Sequence, residues 1–262
     1  MPTGTGLRFE LAAGVARLTL DRPPANALDG SLARALRSAA LRCDEDPDIR
    51  AVILSGAGST FCSGGDVKAF AESADELPSL LKDLTTDLHA AVSRFTRMNA
   101  PVVAAVHGHA AGAGMSLVCA ADLAIAADTA LFTLAYGRIG LSPDGSSTYF
   151  LPRLIGMRRT MELALTNRTL SAVEALDWGI VTRVVPEAEL SETATALAES
   201  LASGPTLALG GANRLYHAGW NDTLESQMEL EARTIADMGR TADGREGIAA
   251  FVAKRRPKFL GR

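Results

Sequence analysis

Pro101-Val102-Val103-Ala104-Ala105-Val106-His107-Gly108 runs straight into His109-Ala110-Ala111-Gly112-Ala113-Gly114-Met115-Ser116. The first half is a short apolar run, the pattern of a buried strand. Gly112 and Gly114 then make a turn, and small residues continue as a helix to about residue 120. A glycine turn of this kind leaves backbone N–H groups free to face a ligand. A second one, Phe61-Cys62-Ser63-Gly64-Gly65-Asp66, follows the apolar run at 51–55, and a third, Ser142-Pro143-Asp144-Gly145-Ser146, lies downstream. Between residues 100 and 159 there is no glutamate, and the only aspartates are Asp122, Asp128 and Asp144. The chain therefore looks able to bind an oxyanion beside a single obvious acid/base or nucleophile, Asp144.

Outward from this stretch, the pattern alternates between strand and helix. Residues 7–11 and 15–20 read as a hairpin around Ala12-Ala13-Gly14. Pro23-Pro24 breaks the second strand, and Asp29 or Ser31 can cap a helix to about residue 43. Residues 78–98 have helical period, with Leu80, Leu81, Leu84, Leu88, Ala91, Val92 and Phe95 on one stripe. Residues 123–126 and 131–134 read as strands. Asp144 suits the N-cap of a helix over 145–154. Beyond it the chain is mostly helical, with one strand expected at 181–185. This alternation implies an α/β core, divided best at Gly204-Pro205 into a core over 1–203 and a helical region over 204–262. No fixed-period repeat is visible in the sequence.

The composition bounds what else is possible. The chain has 262 residues, 47% hydrophobic and 21% charged, as in an ordinary globular protein. Its net charge of −4, with no long basic helix carrying interleaved aromatics, argues against a nucleic-acid partner. No apolar run of ~18 residues is present, so no membrane span is expected. The start, Met1-Pro2-Thr3-Gly4-Thr5-Gly6, lacks the regions of a signal peptide. Cys43, Cys62 and Cys119 are odd in number and without ligand spacing, which suits reduced thiols in the cytoplasm and no metal. His107 and His109 flank Gly108 without a third ligand in view and read as structural.

Six segments in order resemble the crotonase, or enoyl-CoA hydratase/isomerase, superfamily. They are Asp21-Arg22-Pro23-Pro24-Ala25-Asn26-Ala27-Leu28; Phe61 to Asp66; Ala100 to Gly108; Ala111-Gly112-Ala113-Gly114; Gly140-Leu141-Ser142-Pro143-Asp144-Gly145; and Glu246-Gly247-Ile248-Ala249-Ala250-Phe251-Val252-Ala253-Lys254-Arg255. The resemblance implies a spiral of ββα units with a C-terminal trimerisation region. It also implies an acyl-CoA thioester as ligand, with coenzyme A entering as part of the substrate and no separate cofactor. The partners it implies are copies of the same chain, as a homotrimer or a dimer of trimers. The N–H groups of Gly65 and Ala113 would hold the thioester oxygen. Ala25, Ser63, Asp66 and Val67 fall along the expected coenzyme A path, and Tyr136 by the acyl pocket. Phe251 and Lys254, with Arg255, Arg256 and Lys258 nearby, would reach the coenzyme A of a neighbouring subunit.

The resemblance also has a gap. Hydratases of this superfamily use two glutamates, and Ser116 and Tyr136 stand at those positions here. Neither supplies a carboxylate base. What remains is Asp144, which resembles the single acidic residue of two other branches. One is the isomerases of the 2-(1,2-epoxy-1,2-dihydrophenyl)acetyl-CoA type, where one base moves a proton along the acyl chain. The other is the 4-chlorobenzoyl-CoA dehalogenases, where the aspartate attacks the ring and a histidine, by spacing His89, activates water. Leu88 and Tyr136 replace that branch's tryptophans, so the isomerase is the expectation. A non-catalytic acyl-CoA-binding protein is the alternative from another class.

Overall fold

The computed structural model describes residues 4–262. Met1, Pro2 and Thr3, where the reading placed the start of the core and of a leaderless N-terminus, lie outside the described residues.

β1 (Leu7–Ala12) and β2 (Val15–Leu20) form the expected hairpin, antiparallel with Leu7 opposite Leu20 and Ala12 opposite Val15. α1 (Gly30–Glu45) begins where Asp29 accepts the Leu32 N–H at 2.8 Å. β3 (Ala51–Gly56) follows, then α2 (Val67–Glu72) and α3 (Leu77–Phe95). The middle of the chain holds β4 (Val102–Val106), β5 (His109–Ala111), α4 (Ala113–Ala120), β6 (Leu123–Ala127) and β7 (Leu131–Thr133). After the third turn come α5 (Ser147–Ile155), α6 (Met157–Thr166), β8 (Leu170–Ser171), α7 (Ala172–Trp178), β9 (Arg183–Val185) and α8 (Leu190–Ala202). Past Gly204 the chain is helical: α9 (Thr206–Ala218), α10 (Leu224–Arg240) and α11 (Ala242–Val252).

A six-stranded sheet runs β1-β2-β3-β4-β6-β9, parallel throughout except for the β1–β2 pair. A smaller sheet, β5-β7-β8, forms a second layer. Single bridges extend that layer, pairing Cys62 with Ala110 and Leu28 with Gly65. The chain thus repeats one path. It crosses the large sheet, touches the small one and leaves in a helix: β2, Leu28, α1; β3, Cys62, α2; β4, β5, α4; β6, β7, α5. This is a spiral of ββα units, in which backbone geometry repeats without any period in the residues. All five residues of β4 are buried at its centre, which is why that strand is a continuous apolar run. On α3, Leu84, Leu88, Ala91, Val92 and Phe95 are buried, while Leu80 and Leu81 join a small cluster with Phe70.

The structure moves several expected boundaries. α3 stops at Phe95 rather than 98, and the strand expected over 181–185 is paired only from Arg183. β5 and β8 lie where no strand was expected; at three and two residues they are too short to carry alternation.

The C-terminal helices are fastened to the core by Asp122. Its carboxylate accepts the Val102 N–H at 2.7 Å and Asn213 Nδ2, on α9, at 2.6 Å. Burial raises its pKa from 3.8 to about 6. The folded chain therefore holds this proton more tightly than the unfolded chain. The group favours folding most below the ordinary pKa, and that contribution is lost as pH rises through about 6. Native stability relative to Asp122→Asn should fall by about 2 kcal/mol between about pH 4.5 and pH 7.5. Denaturant unfolding at both pH values reads this directly, and parallel profiles would refute it.

Candidate active site

The two glycine turns meet backbone against backbone. Cys62 N–H donates to His109 C=O at 3.0 Å and Ala111 N–H to Cys62 C=O at 2.9 Å. Gly64 and Gly112 have φ of 96° and 52°, left-handed values that favour glycine. A Cβ on Gly64 would stand 3.1 Å from the Ala111 carbonyl oxygen, and one on Gly112 would stand 3.4 Å from Gly64 Cα. Side chains at these positions would hold the turns apart.

This contact leaves two donors unused. Leu28 N–H donates to Gly64 C=O at 2.7 Å and Asp66 N–H to Leu28 C=O at 2.9 Å, so the bridge passes over the Gly65 N–H. Ala113 is the first residue of α4, where an amide has no partner one turn back. Among the described residues neither amide makes a hydrogen bond within the chain. Both sit on turns that touch, and the α4 N-terminus adds its positive dipole end.

The third turn closes over Asp144. The side chain does not cap α5, as expected from sequence. That helix starts at Ser147, and its cap position is Ser146, at φ 75° with no side-chain cap bond. Instead Tyr136 Oη donates to Asp144 Oδ1 at 2.5 Å. Ser116 Oγ donates to Asp144 C=O at 2.9 Å and lies 3.1 Å from Tyr136 Oη. Burial, followed by the charge of Asp144, pushes the Tyr136 hydroxyl far above its ordinary pKa, so it stays a donor. The two positions without glutamates thus fasten Asp144 to the second glycine turn, since Ser116 is on α4 and a Cβ on Gly112 would be 3.9 Å from Tyr136 Cζ. Asp144 Oδ2 meets no donor among the described residues.

His89 belongs to this group. Gly145 N–H donates to His89 Nε2 at 3.3 Å, and both line a cavity of ≈ 920 Å³ with Asp144. Leu88, the next residue on α3, is fully buried. His107 and His109 stay outside; His107 Nε2 lies 2.9 Å from Gly58 C=O and His109 is exposed on β5. No group of His, Cys, Asp and Glu among the described residues is arranged to hold a metal ion.

The remaining candidates separate into two places. Ala25 C=O accepts the Ser63 N–H at 3.0 Å, which joins the first motif to the first turn. Asp66 caps α2 through the Ala69 N–H and meets Arg22 Nη2 at 2.6 Å; these two contacts hold its carboxyl below the usual range. Val67, next to it, is exposed. Arg22 also grips Asp29 at 2.9 Å, so the Asp21–Leu28 motif braces this loop. Phe251, in the last turn of α11, and Lys254, just past its end, do not line the Asp144 cavity; Phe251 is 86% exposed. Sequence reasoning gave Ser116 no role and missed the Tyr136–Asp144 bond. The signal was available in the pairing of two hydroxyl residues at both vacated acidic positions.

Comparison with known proteins puts names beside this geometry. The family described as Enoyl-CoA hydratase/isomerase matches residues 10–262. A relative from Rhodobacter capsulatus, "Probable enoyl-CoA hydratase", is 40% identical over 98% of each chain. The 1,2-epoxyphenylacetyl-CoA isomerase of Escherichia coli is 38% identical over 95% of this chain and 96% of its own. The 4-chlorobenzoyl coenzyme A dehalogenase-1 of an Arthrobacter species is 37% identical over 95% and 91%. Among solved structures, an enoyl-CoA hydratase from Polaromonas sp. JS666 superposes with a TM-score of 0.92 at 31% identity, covering 97% of this chain and 99% of that one.

Proposed function

The chain belongs to the enoyl-CoA hydratase/isomerase family, and from that premise we propose that it moves a double bond within an acyl-CoA thioester with Asp144 as proton carrier. The crotonase fold and an acyl-CoA-processing role come with the family. The choice of isomerase rests on one observation: among the described residues Asp144 is the sole carboxylate lining its cavity, with Oδ1 tied by Tyr136 and Oδ2 free.

In this reading the thioester oxygen accepts the Gly65 and Ala113 N–H groups. Asp144 Oδ2 takes a proton from the carbon next to the thioester carbonyl. The electron pair spreads over the conjugated system to that oxygen as a dienolate, and Asp144 returns the proton further along the chain. The Tyr136 bond fixes one oxygen and with it the plane of the carboxylate, so the other oxygen is held in one place for both proton transfers. Hydration by a carboxylate pair is not served here, because Ser116 and Tyr136 are committed to holding Asp144. Phe251, Lys254 and the apolar residues exposed on α10 and α11, Ile235 and Ile248 among them, support a homotrimer or dimer of trimers completing the coenzyme A site. Cys43, Cys62 and Cys119 are free and buried, each thiol pushed up to about 12 by burial, which fits a cytoplasmic enzyme. No helix among the described residues is long and apolar enough to cross a membrane.

A second reading, displacement at an activated aryl ring with Asp144 as nucleophile, is favoured by one contact, the Gly145 N–H on His89 Nε2. Solvent deuterium separates the two. With a 3-enoyl-CoA in heavy water, the isomerase incorporates deuterium at the α- or γ-carbon as the double bond shifts, read by NMR and mass. The same preparation should leave crotonyl-CoA without measurable hydration. Hydration at the rate of a dedicated hydratase, with no exchange of label into 3-enoyl esters, would sink the isomerase reading.

A further inference from the structure

The cavity that holds Asp144 is lined by charges of opposite sign. α3 lines one wall with His89, Val92 and Ser93, and Thr96 and Arg97, just past its end, continue it. α9 contributes Arg214 to the same cavity. Arg97 Nη1 folds back to Ser93, donating to its hydroxyl at 2.5 Å and its carbonyl at 3.2 Å. Arg214 Nη1 donates to the Arg97 carbonyl at 3.2 Å and to Asn99 Oδ1 at 2.8 Å. Every acceptor these two guanidiniums meet among the described residues is neutral. The charge of Arg97 reaches another lining residue, since His217 is held below the ordinary histidine pKa by burial and then by Arg97. Two cations without a counterion among the described residues, lining a cavity whose only carboxylate among them is the proposed base, make an anion receptor.

Resting on the isomerase reading of the same cavity, we infer that the acyl group carries a carboxylate at its far end, held by Arg97 and Arg214. The geometry sets its length. Arg97 lies eight residues beyond His89, just past the end of α3, and its guanidinium folds back to Ser93, four residues on from His89, so about 6–12 Å along the helix direction separates the two levels. A medium-length, straight dicarboxylic acyl chain spans that distance from the carbon beside Asp144. Val92 from α3, Phe150 from α5 and Leu215 from α9 offer apolar surface to methylene groups, beside the hydroxyls of Ser93 and Thr96. A plain fatty acyl chain of the same length would leave its methyl end against two charged groups, and a short acyl group would leave them unused.

The test compares the saturated coenzyme A esters of decanedioic and decanoic acid, which cannot be isomerised, by titration calorimetry on the intact protein. The dicarboxylic ester should bind about 10- to 100-fold more tightly, as one or two charge-assisted hydrogen bonds provide. In Arg97→Gln/Arg214→Gln that preference should fall to about one, and the ratio of kcat/KM for the matching 3-enoyl esters should fall with it. Equal binding of the two esters by the native protein overturns the inference while leaving the acyl-CoA reading intact. Failure of both esters to bind overturns the two together. A double variant that keeps its preference but sediments as a smaller assembly would assign the arginines to a contact between copies and likewise overturn it.

Discussion

Asp144→Asn should lower double-bond isomerisation about 10²- to 10⁴-fold, the usual worth of a positioned proton carrier, and leave acyl-CoA binding within a few-fold of native. The amide keeps the shape of the side chain and can still accept from Tyr136 Oη, the bond now at 2.5 Å. The Ser116 and Ser147 hydroxyl bonds go to the Asp144 backbone carbonyl and are untouched by the substitution. The third turn should therefore stay in place, and the loss should fall on kcat rather than on the dissociation constant. Incorporation of solvent deuterium should fall in parallel with isomerisation, because one group does both. The nucleophile reading makes a different demand on the same residue. There a 4-chlorobenzoyl ester loses chloride, an aspartyl ester adds the aroyl mass to the protein, and His89→Gln traps it. Intact mass separates the outcomes. Should Asp144→Asn prove harmless to every reaction found, the residue only braces its turn and both readings fail.

The parts of this site legible in the sequence are those whose physics is local. An apolar run followed by glycines announces a buried strand and a turn, so β3, β4 and the two glycine turns could be placed from residues 51–66 and 102–114 alone. Asp29 as the cap of α1 is likewise a local matter of one carboxylate and an amide three residues on. What could not be read is non-local. β5 and β8 exist because neighbouring strands supply their partners, and two or three residues carry no period of their own. The alternative reading of Asp144 as a side-chain cap fails because Tyr136, eight residues away across a turn, takes the carboxylate. The left-handed Ser146 then lets α5 begin without it. The arginine pair of the cavity is assembled by Arg97, just past α3, and Arg214 on α9, more than a hundred residues apart, and no spacing in the chain foretells that meeting.

Ala113→Pro should reduce kcat about 10²- to 10³-fold, the loss that follows removal of one oxyanion donor, with little change in folding. Position 113 opens α4, and proline is well accepted at the first position of a helix, where the missing N–H has no intrahelical partner. Gly112 precedes it at ψ −123°, outside the α region that proline forbids its predecessor. The Gly112 N–H bond to Thr133 C=O, at 3.0 Å, does not involve the substituted nitrogen. The substitution thus deletes one N–H and sets a ring carbon where its hydrogen pointed. Gly114→Ala reaches the same donors by another route. Its Cβ would stand 2.4 Å from the Cys62 carbonyl oxygen, so α4 must back away from the first turn and carry the Ala113 amide with it. The two variants differ in stability but converge in chemistry. The proline variant should keep the native unfolding midpoint within a few degrees, the alanine variant should lose some of it, and both should lose turnover. A proline variant that is folded, binds the thioester and turns over at the native rate would remove Ala113 from the reaction, leaving the thioester oxygen to Gly65 alone.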